Sequence, residues 1–380
     1  MSEHMDELQL SRGLSRKAGR PVDSGIIMLV VLLVCFGLLT LFSATYYKAQ
    51  DSGDALAEVK SQSLGIALGF VAMFFTSRIP YEFFRKRYVL LTLIISSLVL
   101  LALVLIPGIG QYRNGSRRWF SLGGLSVQPS EIVKFAAVIY MAGVLSNVGG
   151  KIKRLWSVVV PVLSVPLVFF LLILEQPNLS TAGSILIVCF LMVMMAGAKK
   201  RHLLLMLAGG LVMGAYYAWS EPYRRERLLS FMNPFAQMSD EGYQLSQSLI
   251  AFGSGGLFGM GLGQGRQKFS YLPYPESDFI FAIVGEDFGL FGCTVVISLF
   301  VVFLFMGMRV AVRCRDLYGS LLAAGITMMI CTQAFLNIGV VIGILPTTGL
   351  PLPFFSSGGT SVSIALAAVG ILLSVSRSVR

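Results

Sequence analysis

The feature that most constrains this chain is a series of ten apolar runs, each about long enough to cross a lipid bilayer. In lipid a run must satisfy its own backbone hydrogen bonds, so each run predicts a transmembrane α-helix. The predicted spans are residues 25–45, 62–78, 88–107, 132–148, 157–174, 181–197, 202–219, 286–308, 319–343 and 361–376. The sequence therefore predicts an all-α polytopic membrane protein with about ten transmembrane helices.

The composition agrees with a lipid environment. Hydrophobic residues make up 55% of the chain and charged residues only 13%, whereas about a quarter of an ordinary soluble domain is charged. The first apolar run follows a polar tail and lacks a small-residue cleavage site, so it predicts a retained anchor and not a removed signal peptide. The predicted organisation is a cytoplasmic tail over 1–24, a transmembrane domain over 25–376 and a cytoplasmic tail over 377–380.

The net charge of +11 is interpreted as a topology signal. The loops predicted on the side of both termini hold 19 of the 30 Lys and Arg residues but only 6 of the 19 Asp and Glu residues. The positive-inside rule places that side, with both termini, in the cytoplasm. Because this asymmetry accounts for the basic surplus, no nucleic-acid partner is predicted. The five scattered cysteines contain no CxxC pair and predict neither a disulfide framework nor a metal site.

Three long segments, 108–131, 220–285 and 344–360, fall on the predicted outer side. The segment 220–285 is far longer than an ordinary connection, and its aromatic content argues against disorder. It is predicted to hold short amphipathic helices on the outer membrane surface. The segment 344–360 breaks helix repeatedly at membrane depth, which is tolerated where the backbone is buried in protein or lines a wet cavity. A polar cavity open to the outside is therefore expected.

Charged residues beside the fourth predicted span are candidates for a functional site. Glu131 and Lys134 are three residues apart and share a helical face. Either the two residues form a structural ion pair, or Glu131 holds Lys134 towards a cavity that faces outward. Spacing alone leaves both alternatives open. Arg117 and Arg118 precede them, and arginine forks match phosphate oxygens. Anchoring to anionic lipid headgroups is the simpler alternative for the two arginines.

A glycine-rich run, residues 252–268, contains seven glycines. Its backbone N–H groups are suited to form an anion nest with Arg266 and Lys268 beside it. It is not a P-loop, because the GK[ST] ending is missing. A flexible turn or tight packing in the interface is the alternative.

Asp278 is the strongest candidate for catalysis. It lies between a Pro-rich stretch and an apolar run, and a carboxylate half desolvated there suits a general base. The alternative is that Ser277 or Asp278 caps the following helix. Glu286 and Asp287 come two turns later and are expected to pair with basic groups of the cavity.

Four stretches make the chain resemble the SEDS family of bacterial cell-wall proteins, which includes FtsW, RodA and SpoVE. They are NGSRRW (114–119) with QPSEIVK (128–134), EQPNLSTA (175–182), SDFIFAIVGEDFG (277–289) behind the glycine run, and Asn337 with PTTGLPLPFFSSGGTS (346–361). The polar N-terminal tail and the ending AAVGILLSVSR (367–377) resemble FtsW and SpoVE more than RodA. Departures such as Glu276-Ser277, where His-Thr is common, leave Asp278 in place.

The resemblance implies a peptidoglycan glycosyltransferase on the outer face of the bacterial cytoplasmic membrane, at the division septum. Its substrate would be lipid II, an undecaprenyl-pyrophosphoryl disaccharide-pentapeptide, and its partners a class B penicillin-binding protein and other divisome membrane proteins. Asp278 would be the base in an inverting displacement. Arg118, Lys134 and a divalent cation, Mg²⁺ or Mn²⁺, would balance the leaving pyrophosphate. The remaining candidates for substrate binding are Arg117, Glu131, Arg266, Glu286, Ser356 and Ser357.

Other functions stay open beside polymerisation. A lipid II flippase would also use an outward cavity with charged walls, but the polar candidates cluster on one side and no repeated halves are seen. A membrane scaffold would explain the spans and leave Asp278 and Lys134 without a role. Within the family, a RodA-like elongation role and a SpoVE-like sporulation role are the alternatives to cell division.

Overall fold

The computed structural model of the protein describes residues 21–50, 56–113, 116–122, 125–220, 222–237, 242–269 and 271–379. Most of the predicted N-terminal tail therefore lies outside the described residues, as do Asn114 and Gly115 of the motif at 114–119.

Twelve α-helices lie within the described ranges: α1 (Ser24–Gln50), α2 (Ala57–Arg78), α3 (Arg87–Leu105), α4 (Pro129–Val148), α5 (Val160–Leu174), α6 (Leu179–Met195), α7 (Lys200–Trp219), α8 (Pro222–Met232), α9 (Tyr243–Gly255), α10 (Ile280–Arg313), α11 (Leu317–Val341) and α12 (Gly359–Val379). N-capping side chains mark the start of two of them. Asn178 caps α6 by accepting the Thr181 N–H at 3.3 Å, and Asp316 caps α11 by accepting the Gly319 N–H at 3.1 Å.

Eight of these helices, α1–α5 and α10–α12, are long and apolar enough to cross a membrane. Helix α6 is apolar but has only 17 residues, and α7 is not among the eight. All ten predicted runs are helical, and the all-α polytopic membrane fold is confirmed. The count of ten transmembrane helices stays a prediction.

The segment 108–131 contains a small sheet that the sequence analysis did not predict. Three antiparallel strands, β1 (Gln111–Arg113), β2 (Ser116–Leu122) and β3 (Leu125–Val127), lie in the order β1-β2-β3. The Thr360 hydroxyl at the start of α12 donates to the Ser126 carbonyl of β3. The sheet is therefore fastened to the helical bundle.

Helices α2 and α12 pack closely through small residues. A side chain at Gly65 would collide with the backbone of Gly359, and one at Gly370 would collide with Thr76. The Thr76 hydroxyl donates to the Ala367 carbonyl across the interface at 2.8 Å. Close backbone approach and interhelical hydrogen bonds are what stabilise helix pairs in lipid, where apolar burial gives little drive.

Helix α10 begins at Ile280, six residues before the predicted start at 286. Glu286 and Asp287, which the prediction placed at the first two positions of the span, are both buried within the helix. The helix turns at Gly289, whose φ of 64° and ψ of −162° are not helical. The long segment before it holds α8, α9 and a 3₁₀ helix (Pro234–Gln237), so short helices are confirmed there.

One end of the bundle is formed by the described parts of 106–128, 175–178, 242–279 and 342–358, and we call it the loop face. Its segments are joined to one another by hydrogen bonds. The Ser357 N–H donates to the Glu276 carbonyl of another segment at 2.8 Å, and the Ser180 hydroxyl at the start of α6 donates to the Thr348 carbonyl. The loop face contains most of the candidate residues.

Candidate active site

Asp278 lies where two segments of the loop face, 242–279 and 342–358, meet helix α11. Its side chain is half-buried, and its backbone carbonyl accepts a hydrogen bond from Asn337 Nδ2 of α11 at 2.6 Å. Gly349 lies on its other side, and a methyl group placed on Gly349 would lie 3.7 Å from Asp278 Oδ2. The cap position of α10 is Phe279 and not Asp278. The Asp278 carboxylate thus lies at this junction, one residue before the cap position of α10.

Ser356 and Ser357, predicted to bind substrate, hold the segment 346–358 in place. Ser356 is buried, and its hydroxyl accepts the Leu352 N–H at 2.8 Å. Gln62 of α2 donates to the Ser356 carbonyl at 3.1 Å and accepts the Gly358 N–H at 2.9 Å. The contacts of Ser356 are thus with its own loop and with α2.

Glu131 and Lys134 form a buried ion pair in the first turns of α4, 2.9 Å apart. The Lys134 side chain is only 1% exposed, and its ammonium also donates to Gln333 Oε1. The Ser361 hydroxyl donates to Glu131 at 2.6 Å. Of the two alternatives from the sequence, the structure matches the ion pair, because this ammonium is enclosed by protein.

The ion pair and Asp278 are connected through α11. Gln333 Nε2 donates to the Pro351 carbonyl at 2.8 Å, and one turn later Asn337 Nδ2 donates to the Leu350 carbonyl at 2.6 Å. Lys134 thus reaches the segment beside Asp278 through a single intervening side chain. Neither amide was a candidate in the sequence analysis; Asn337 was noted only as part of a motif.

Arg118 holds the turn between α5 and α6. Its Nε donates to the Gln176 carbonyl at 2.8 Å and its Nη2 to the Pro177 carbonyl at 2.5 Å. These two bonds therefore join strand β2 to the end of α5 and the turn that follows it. Arg117 lies differently, with its guanidinium 5.9 Å from the centre of the Tyr112 ring.

The glycine run folds against the bend in α10. Its backbone N–H groups bind a carboxylate of the protein itself, that of Glu286. The Glu286 carboxylate accepts the N–H groups of Arg266 at 2.6 Å and Gln267 at 3.0 Å. The predicted nest therefore exists, but Glu286 occupies it. The Glu286 carboxylate is thus bound by the loop, whereas the Arg266 side chain is exposed, and a substrate contact of either residue stays a prediction.

Backbone bonds complete this contact. The Met260 N–H donates to the Glu286 carbonyl at 2.9 Å, and the Leu290 N–H donates to the Gly256 carbonyl at 2.9 Å. These groups lose helical partners at Gly289, so the loop satisfies them. A side chain at Gly289 would collide with the backbone of Leu257 and Gly259.

Asp287 forms a second buried ion pair. Its carboxylate lies 3.1 Å from Lys268 Nζ, and it also accepts a hydrogen bond from the Ser43 hydroxyl of α1. Lys268 donates to that hydroxyl at 2.9 Å. The prediction that Asp287 pairs with a basic group is confirmed. Ser43 was missed, because a lone serine in an apolar run carries no signal of such a role.

Among the residues that the structure describes, no three His, Cys, Asp or Glu side chains come together in a way that could hold a metal ion. A divalent cation at this site would therefore need ligands from the substrate, as Mg²⁺ commonly does with phosphates.

The fold and the site define an integral helical membrane protein with a carboxylate held at one end of its bundle by buried polar networks. The chain matches the family model FTSW_RODA_SPOVE, described as "Cell cycle protein", over residues 23–380. It therefore belongs to this family, which confirms the resemblance seen in the motifs.

Curated relatives cover nearly the whole chain. The chain is 43% identical to stage V sporulation protein E of Bacillus subtilis over 356 residues, covering 93% of this chain and 97% of that protein. It is 37% identical to the probable peptidoglycan glycosyltransferase FtsW of Geobacter sulfurreducens over 368 residues, covering 97% and 98%.

Solved structures share the fold. One of them is described as "Structural coordination of polymerization and crosslinking by a peptidoglycan synthase complex". It matches with a TM-score of 0.79 and 30% identity, and the match covers 94% of this chain and 98% of that chain. The rod shape determining protein RodA of Thermus thermophilus matches with a TM-score of 0.69 and 28% identity, covering 94% and 97%.

Proposed function

We propose that this chain is a peptidoglycan glycosyltransferase of the FtsW type, which joins lipid II units into glycan strands. The observation that carries the proposal is the half-buried Asp278, whose backbone carbonyl is held at the loop face by Asn337 and whose carboxylate is bordered by Gly349, which has no side chain. The Geobacter relative, a probable peptidoglycan glycosyltransferase, supports this reaction.

In the proposed reaction, Asp278 accepts the proton of the acceptor sugar hydroxyl. The hydroxyl oxygen bonds to the anomeric carbon of the donor sugar, and the bond from that carbon to the pyrophosphate oxygen breaks. The electron pair of the broken bond leaves with the polyprenyl pyrophosphate. Because the attack comes from the face opposite the leaving group, the anomeric centre is inverted. General-base catalysis of this kind contributes about 10²–10⁴-fold in rate.

Positive charge for the departing pyrophosphate is expected from Arg117, whose side chain is only partly buried. Lys134 is enclosed and acts instead by holding Gln333 against Pro351. Mg²⁺ or Mn²⁺, when bound, supplies further charge, since such ions commonly take one or two carboxylates together with substrate phosphates. Asp278 is the carboxylate that would hold it.

We place the reaction on the outer face of the cytoplasmic membrane, with both termini in the cytoplasm and the enzyme at the division septum. The distribution of Lys and Arg supports this orientation. A class B penicillin-binding protein is the proposed partner, because the similar peptidoglycan synthase complex couples polymerisation with crosslinking. Other divisome membrane proteins would accompany the pair.

The test is polymerisation of purified lipid II by the purified full-length chain, alone and with its partner transpeptidase. Glycan strands resolved on a gel are the expected product. Removal of metal ions with EDTA, followed by addition of Mg²⁺ or Mn²⁺, tests whether the reaction needs a divalent cation. Folded protein that yields no polymer in either arrangement would contradict the proposal. Movement of labelled lipid II across vesicles without polymer would favour the flippase.

A further inference from the structure

A group of polar atoms near Asp278 is buried without hydrogen-bond partners among the described residues. They are the side-chain oxygens of Asn337, Thr347 and Thr348. Buried polar atoms in native proteins nearly always have a partner, so an exception needs an explanation such as a missing ligand or water. Three exceptions in neighbouring segments around one carboxylate indicate a site built for a polar ligand.

Asn337 is oriented by its own hydrogen bonds. Its side chain is 1% exposed, and its Nδ2 donates to the carbonyls of Asp278 and Leu350, both at 2.6 Å. Both amide hydrogens are therefore used. The remaining group, Oδ1, is an acceptor that needs an N–H or O–H donor.

The two threonines immediately precede Gly349, the residue beside the Asp278 carboxylate. Adjacent Cα atoms are about 3.8 Å apart, which places Thr347 and Thr348 within a short reach of Asp278. The Thr348 backbone is held by the Ser180 hydroxyl. Gly349 has a φ of 71°, which L-residues with side chains rarely adopt. The hydroxyls therefore lie on a fixed backbone next to the proposed base.

The chemistry of this group selects its ligand. None of the three side chains carries a charge, whereas pyrophosphate is recognised by cations and N–H donors. Two hydroxyls and an amide carbonyl match the hydroxyl and acetamido groups of an amino sugar. We propose that Asn337, Thr347 and Thr348 form the subsite that holds the acceptor sugar against Asp278. This inference rests on the proposed glycosyltransferase function and names the residues that bind one of its two substrates.

The experiment separates the two substrates. A lipid II analogue whose acceptor hydroxyl is blocked serves only as donor, and a disaccharide lipid without the pyrophosphate serves only as acceptor. The full chain, together with its partner, joins the donor to the acceptor. The concentration of each substrate is varied in turn while that of the other is held constant. The variants are Thr347→Val, Thr348→Val and their combination, with Thr294→Val as the matched control. Thr294 is exposed, and its hydroxyl bonds only within its own helix, to the Leu290 carbonyl.

The combined variant is expected to raise the KM for the acceptor by about 10- to 100-fold, as the loss of two hydrogen bonds implies, with the KM for the donor and the melting temperature unchanged. Thr347→Ser and Thr348→Ser keep the hydroxyls and should restore the acceptor KM. If the combined variant does not fold, the single variants replace it.

Three results would overturn the subsite. They are an unchanged acceptor KM, an equal rise in the donor KM, and Thr→Ser variants as defective as Thr→Val. Inactive wild-type protein would instead overturn the glycosyltransferase function itself.

Discussion

The ammonium of Lys268 lies 3.1 Å from the carboxylate of Asp287, and both side chains are enclosed by protein. Lys268 ends the glycine run, while Asp287 sits two residues before the bend in α10. The pair, with Ser43 of α1, therefore fastens the glycine run to the bundle at the point where the helix changes direction. The chain then continues from this fixed point to Asp278 within ten residues.

Removing one partner of this pair should destabilise the protein more than removing both. Lys268→Met leaves the Asp287 carboxylate buried without its cation, which typically costs about 3–5 kcal/mol. Lys268→Met combined with Asp287→Leu should cost less, because no charge stays buried. Thermal unfolding in detergent measures both. Equal melting temperatures for the single and double variants would contradict the buried-pair argument.

Gly289→Ala should be strongly destabilising. Its backbone has a positive φ of 64°, and the new methyl group would collide with the backbone of the glycine run. Strained backbone alone costs about 1–3 kcal/mol. Gly214→Ala in α7 is the control, since open space surrounds it and alanine is the better helix former. A melting temperature for Gly289→Ala as high as that of the control would show that the bend is dispensable.

The Glu131–Lys134 pair should be replaceable as a unit. Because Lys134 is enclosed, we expect Glu131→Leu combined with Lys134→Met to fold and to retain polymerisation within about tenfold of wild type, since buried pairs often add little net stability. Lys134→Met alone should be less stable than the double variant. A folded double variant with no glycan product would give Lys134 a direct role with substrate.

Asp278→Asn should separate catalysis from structure. The change keeps the size of the side chain, and the cap of α10 is Phe279, so insertion, melting temperature and partner binding should match wild type. Loss of the base should lower polymerisation by about 10²–10⁴-fold. Polymerisation by the purified variant with its partner is the measurement. Near wild-type output would eliminate Asp278 as the base.

The orientation of the chain is open to a direct test. Reporters fused within 220–285 should read as external, and fusions at 149–156 and at the C-terminus should read as cytoplasmic, because the basic residues concentrate on the latter side. A topology reporter active only in one compartment makes the measurement. An external C-terminus would mean an odd number of spans.

Much of the fold could be predicted because its signals are local. Apolar runs of membrane length predicted every long helix, and the glycine run with its flanking basic residues pointed to the anion nest that Glu286 fills. The spacing of Glu131 and Lys134 predicted their contact, since residues three apart meet on one helix face. The small sheet was missed, because strands of three to seven residues leave little pattern.

The sequence by itself determined the membrane class, the helices and the identity of the candidate base, since these depend on hydrophobic length and on motifs in adjacent residues. Only the tertiary structure decided which polar groups meet. Ser43 and Asp287 are 244 positions apart, Lys134 and Gln333 are 199 apart, and Asn337 and Asp278 are 59 apart. Such contacts follow from how the helices pack, because a buried polar group takes whichever partner the packing brings within hydrogen-bond distance. No local pattern encodes that choice.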